Sequence, residues 1–163
     1  MQVKRIEKQN LGLAGEYAVA SELCKRGYYA QVTLGRQKRT DILAYHSESG
    51  MELRLEVKSK QGYIWPGVKG ITGPNAFLVL VDFKNKGLDK RPDFYILKPI
   101  DWKRYINKYV RPLGRQEVKI DENYCPHYMS HHGKKGHERY VGTGLKPDEI
   151  SQHKDAWDKL KLT

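Results

Sequence analysis

The chain has 163 residues, enough for one domain with a real core. Its 30 Lys and Arg outnumber 19 Asp and Glu, a formal charge of +11 that favours a polyanionic partner, nucleic acid first. Two cysteines exclude a disulfide framework and fit a reducing cytoplasm, and no apolar run reaches the length of a membrane span.

In chain order, Leu11 to Arg26 reads as a helix, with Asn10 as its N-cap and Gly27 just beyond its end. Leu13, Glu16, Ala20, Leu23 and Cys24 fall on one helical stripe. Glu16 is then an acid on an apolar face, which is costly unless it looks into a polar or metal-bearing site. Tyr28 to Thr33 reads as a strand, followed by the basic turn Gly35-Arg36-Gln37-Lys38-Arg39.

Two alternating stretches follow, Thr40-Asp41-Ile42-Leu43-Ala44 and Leu53-Arg54-Leu55-Glu56-Val57-Lys58-Ser59-Lys60, separated by Ser47-Glu48-Ser49-Gly50. They predict a hairpin. A turn centred between Glu48 and Ser49 sets Asp41 directly opposite Glu56. Alternation then puts Asp41, Glu56 and Lys58 on one face, and Ile42, Ala44, Leu53, Leu55 and Val57 on the other. Opposed Cβ atoms lie roughly 4.5–5.5 Å apart. Two carboxylates that close repel unless a proton or cation intervenes, and a hard divalent ion suits oxygen ligands.

Gly62 to Asn75 is rich in Gly and Pro and reads as a loop or lid. Ala76 to Phe83 is a continuous apolar run, as in a buried central strand. Asp93 to Leu97 reads as another strand, and Pro99-Ile100-Asp101-Trp102 opens a helix to about Val110. Composition shifts at Arg111-Pro112-Leu113-Gly114, so residues 1–110 form the expected core and 111–163 an extension packing on it. Asp148 to Leu160 can form a last amphipathic helix anchored by Ile150, Trp157 and Leu160. Cys125 and His127, with His131, His132 and His137, match no standard zinc finger or ribbon. They read as a His- and Lys-rich surface loop rather than a zinc site.

The order of a helix with Glu16, a strand, a strand with Asp41, and a strand with Glu56-Val57-Lys58 resembles the PD-(D/E)xK nuclease superfamily. The likeness to its small stand-alone members continues through Tyr63-Ile64-Trp65-Pro66, Phe77 to Asp82, Pro92 to Leu97 and Lys154-Asp155-Ala156-Trp157-Asp158. It is strong over residues 11–100 and loose over 111–150. Thr40 stands where the superfamily's name has Pro, a position that varies. The tripeptide alone is weak, since Glu117-Val118-Lys119 repeats it without a facing Asp strand. That copy reads as ordinary surface.

The resemblance implies an α/β restriction-endonuclease-like core, an αβββαβ-type mixed sheet flanked by helices, with a C-terminal extension. It implies a metal-dependent endonuclease on DNA using Mg²⁺ or Mn²⁺. Asp41, Glu56 and the Val57 carbonyl would hold the metal, with Glu16 supporting a second ion or a metal-bound water. Lys58 would orient the nucleophile and stabilise developing charge. Gln61, three residues on as in some branches, would position the Lys or the phosphate.

Around that face, Arg36, Lys38, Arg39, Lys60 and Lys69 are candidate phosphate contacts. Trp65 either stacks on a base or packs in the core. A two-fold homodimer would suit symmetric cleavage of two strands, but no pattern marks its interface. Two other readings remain: a non-catalytic nucleic-acid-binding module of this fold, and a basic protein that meets an acidic partner.

Overall fold

The computed structural model describes residues 5–33, 40–114, 117–129 and 140–161. A first helix, α1 (Lys8–Cys24), leads into β1 (Tyr28–Val32), β2 (Ile42–His46) and β3 (Met51–Lys60). Next come β4 (Trp65–Val68), β5 (Ala76–Asp82) and β6 (Asp93–Leu97). Helix α2 (Pro99–Tyr105) continues as a π-helical turn (Ile106–Val110) and a short 3₁₀ turn. The chain ends in β7 (Val118–Ile120), β8 (Pro126–Tyr128), β9 (Tyr140–Val141), β10 (Thr143–Leu145) and two 3₁₀ segments, Pro147–His153 and Trp157–Leu160.

The result is a mixed α/β fold built on a five-stranded sheet of order β1-β2-β3-β5-β6. Neighbours run antiparallel except β3 and β5, which are parallel. Parallel neighbours need a long connection. In an αβββαβ order that connection would hold a helix. Here residues 61–75 carry β4 instead, which pairs with β10 from near the chain's end. The expected loop over 62–75 is therefore partly a strand, with Trp65, Val68 and Ile71 buried.

Alternation along the strands feeds two cores. One face of the sheet carries Ile42, Leu53, Leu55 and Val79 against Val19 and Leu23 of α1, joined by Trp157 and Leu160. The other carries Leu78 and Leu80 against Trp65, Trp102, Ile106, Leu145 and Ile150. Strand β5 serves both, so all seven of its residues are buried and it reads as an unbroken apolar run. Residues beyond 110 thus contribute to both cores. The final amphipathic helix is replaced by two 3₁₀ turns, but Ile150, Trp157 and Leu160 are buried as anchors.

Helix α1 differs from its predicted face. It starts at Lys8, where the Glu7 carboxylate accepts from the Asn10 N–H. Its buried positions are Gly15, Val19, Glu22 and Leu23, whereas Leu13 and Cys24 are exposed. The reason is the approach at Gly15, where a Cβ would lie 1.9 Å from Ser59 Oγ. The helix rests on β3 through a residue with no side chain, so its larger apolar groups do not define the contact. Glu22 is tolerated inside because Arg91, Arg26 and Lys25 surround it. The hydrogen bonds from Arg91 lead those that lower its pKa to about 2. Gly27, at φ +83°, lets the chain reverse into β1.

Candidate active site

The hairpin forms in the predicted register. Ile42 faces Leu55, Ala44 faces Leu53 and His46 faces Met51. Ile42, Ala44, Leu53, Leu55 and Val57 are all buried in the core under α1. Asp41 lies one residue before β2. Its N–H donates to Leu55 O at 2.9 Å, and Thr33 N–H donates to Asp41 O at 2.9 Å. Its carboxylate is fixed by β3, since Oδ2 accepts the Val57 N–H at 2.7 Å.

Glu56 is only 5% exposed. Its Oε1 sits 3.3 Å from Lys58 Nζ, while Oε2 is buried with no hydrogen-bond partner among the described residues. A buried carboxylate oxygen without a partner is expensive, and a cation ligand removes the cost. This atom is the structural fit between the acids and a hard metal ion. Lys58 stands at the rim, its side chain 40% exposed, able to meet both Glu56 and an incoming ligand.

Glu16 belongs to the same electrostatic group. Its pKa is raised first by burial and then by the negative charge of Asp41, with Lys58 pulling the other way. The structure therefore brings Glu16, Asp41, Glu56 and Lys58 together from α1, the start of β2 and β3. The oxygens of the three acids do not all close to within 4.8 Å of one another. Val57 turns its side chain into the core and gives its N–H to Asp41.

The surrounding candidates divide. Arg36, Lys38 and Arg39 lie outside the described residues. Lys69 is exposed. Lys60 is not a surface cation. It is 3% exposed, with Nζ 2.5 Å from Asp82 Oδ2, 3.1 Å from Gly62 O and 4.5 Å from the centre of the Trp65 ring. Burial lowers its pKa and Asp82 opposes that shift. Trp65 is fully buried, donates Nε1–H to Val81 O at 3.0 Å and meets Tyr95 edge-on, so it takes the core role. Both residues are absorbed because β4 folds back over the sheet, which the loop reading of 62–75 did not foresee.

Gln61 uses Oε1 to accept the Ile6 N–H at 2.8 Å. It helps line a cleft of about 760 Å³ beside the end of β3, with Arg5, Lys8, Leu11, Ile64 and Asn85. Arg5 and Lys8 were missed in the sequence because they precede the predicted helix start. Lys8 opens α1, and Arg5 lies three residues ahead of it. Nearby, Tyr63 is 79% exposed beneath Lys84 Nζ at 3.8 Å. Among the described residues, no helix is long and apolar enough to cross a membrane.

No family model matches the chain, and no curated protein matches it in sequence. A solved structure does match: a bacterial homing endonuclease, I-Ssp6803I, with a TM-score of 0.51 and 15% identity over 95% of this chain and 93% of that one. At that identity the likeness is one of fold. The chain shares its fold with that endonuclease along nearly its whole length.

Proposed function

We propose that this chain is a metal-dependent endonuclease that hydrolyses DNA phosphodiester bonds, with a restriction-endonuclease-like core of the PD-(D/E)xK type. The observation that carries the reading is Glu56 Oε2, a buried carboxylate oxygen with no partner among the described residues, set beside Asp41 and Lys58. The shared fold with a homing endonuclease and the charge of +11 support it. Asp41 and Glu56, with the Val57 carbonyl, would hold Mg²⁺ or Mn²⁺, and Glu16 would take a second ion or an ordered water. A bound divalent ion supplies an activated water and neutralises phosphate charge.

The chain's own residues do the rest. Asp41 is held in place by the Val57 N–H. The Lys58 ammonium, anchored on Glu56 and open to solvent, orients the attacking water and stabilises charge on the phosphate. Glu16, half-buried on α1 and within the electrostatic reach of Asp41 and Lys58, would hold the second ion or the ordered water from the helix side. Arg5 and Lys8 in the cleft, exposed Lys69, and Arg36, Lys38 and Arg39 would follow the backbone. DNA is the expected substrate, and the cytoplasm the expected location of the protein.

The test is cleavage of duplex, single-stranded and branched DNA with Mg²⁺, Mn²⁺ or Ca²⁺, using Lys58→Ala as control. Nicking or cutting with Mg²⁺ or Mn²⁺ that drops at least a hundredfold in Lys58→Ala is expected. Intact DNA under every condition would leave the chain as a binding module of this fold.

A further inference from the structure

A second group of ligand-type side chains lies on the β7–β8 hairpin, apart from the acids around Glu56. Lys119 pairs with His127 and Ile120 with Pro126, and the Asp121 N–H donates to Cys125 O at 3.1 Å. Asp121 and Cys125 therefore face each other where the hairpin turns, and His127 follows Cys125 by two residues. A two-residue spacing returns a strand side chain to the same face.

The turn then divides the work of the Asp121 carboxylate. Oδ1 accepts the N–H of Asn123 at 2.9 Å and of Cys125 at 2.8 Å. Oδ2 is turned toward His127 Nε2, at 3.2 Å. Ligand atoms of Asp121, Cys125 and His127 all lie within 4.8 Å of one another. In tetrahedral zinc, bonds of about 2.0–2.3 Å put ligand atoms roughly 3.3–3.8 Å apart.

We infer that Asp121, Cys125 and His127 form a binding site for a thiophilic divalent cation, zinc by preference, separate from the proposed Mg²⁺ site. The donor set decides the metal. One sulfur, one imidazole nitrogen and one carboxylate oxygen suit zinc and its neighbours, whereas Mg²⁺ and Ca²⁺ take oxygen ligands. Three protein ligands leave a fourth position for water.

The turn is tied to the body of the protein, since Trp102 Nε1–H donates to Tyr124 O at 3.0 Å. An ion here would tie the two strands of the hairpin across its turn. The competing account is an Asp121–His127 ion pair with no metal.

Cobalt separates the two. The full chain is stripped with chelator and titrated with Co²⁺. One equivalent should produce tetrahedral absorption bands together with the thiolate-to-cobalt charge-transfer band, and equimolar Zn²⁺ should erase them. Excess Mg²⁺ should not. Cys24→Ser should keep the signal, and Cys125→Ser should lose the thiolate band. Should Cys125→Ser fail to fold, His127→Gln at a half-exposed position serves instead, with Co²⁺ affinity reduced at least tenfold. Absence of a stoichiometric band, or a band that follows Cys24, overturns the site.

Discussion

Glu56→Gln should separate function from stability at the proposed active site. The substitution keeps shape and removes one buried charge. In wild type, Oε2 has no partner among the described residues, a burden of about 1–3 kcal/mol. Against that stands the loss of the Lys58 contact. Lys58 is 40% exposed, so solvent screens the pair and holds its worth to about 1 kcal/mol or less. The Gln amide still leaves an unpaired polar atom at that position, so only the charged excess of the burden is relieved, and the balance predicts a metal-free variant more stable than wild type by up to about 1 kcal/mol. At about 2–4 °C per kcal/mol for a chain of this size, its Tm in chelator should rise by that amount. Magnesium should reverse the order. At a hundred times its Kd, an ion bound only by the folded state adds about 2.7 kcal/mol, and only wild type keeps the charged ligand that earns it. The assay is a melting curve for each protein in chelator and in excess Mg²⁺. If Glu56→Gln melts lower than wild type in chelator and still gains fully from Mg²⁺, Glu56 is a structural partner of Lys58 and the metal reading is wrong.

Asp41 should respond differently to two substitutions. Asp41→Asn retains an acceptor for the Val57 N–H and should stay within about 0.5 kcal/mol of wild type in chelator, whereas Asp41→Ala strands that donor and should cost about 1–3 kcal/mol in urea unfolding. Glu16 has a raised pKa in the folded protein, so it disfavours folding once the unfolded chain ionises above its ordinary value of 4.5. Metal-free Glu16→Gln should therefore be more stable than wild type at neutral pH, with the difference vanishing below pH 4.5; a difference that persists there would refute the titration argument. Lys60→Met leaves the buried Asp82 carboxylate without its cation, holding the Lys84 N–H but no counter-charge, and should cost about 3–5 kcal/mol, yet leave the salt slope of DNA affinity unchanged. Charge reversal at Arg36 or Lys38 should flatten that slope.

The sequence alone determined the hairpin. Strand alternation has a period of two, so one correct turn sets every pair from Ile42–Leu55 to His46–Met51, and the core face of Ile42, Leu53 and Leu55 with it. It also determined β5, because a strand buried on both sides must be apolar throughout. These are local patterns, written within a few residues of the structure they make. Other features depend on partners distant in sequence. Strand β4 exists because Trp65 and Val68 meet Leu145 and Thr143, nearly eighty residues away, and no local periodicity announces that pairing. Its folding buried Lys60, which in the sequence resembled a free cation, and gave Trp65 the core role that the sequence had left open beside base stacking. The inner face of α1 was set by a glycine touching Ser59 and by Glu22 paired with Arg91, neither of which looks like a core residue until its neighbour arrives. Cys125 and His127 were visible as ligand types, but Asp121 joins them only across a turn whose backbone closes in three dimensions. Periodicity reports which way a side chain points along its own strand or helix; what it meets there depends on tertiary packing.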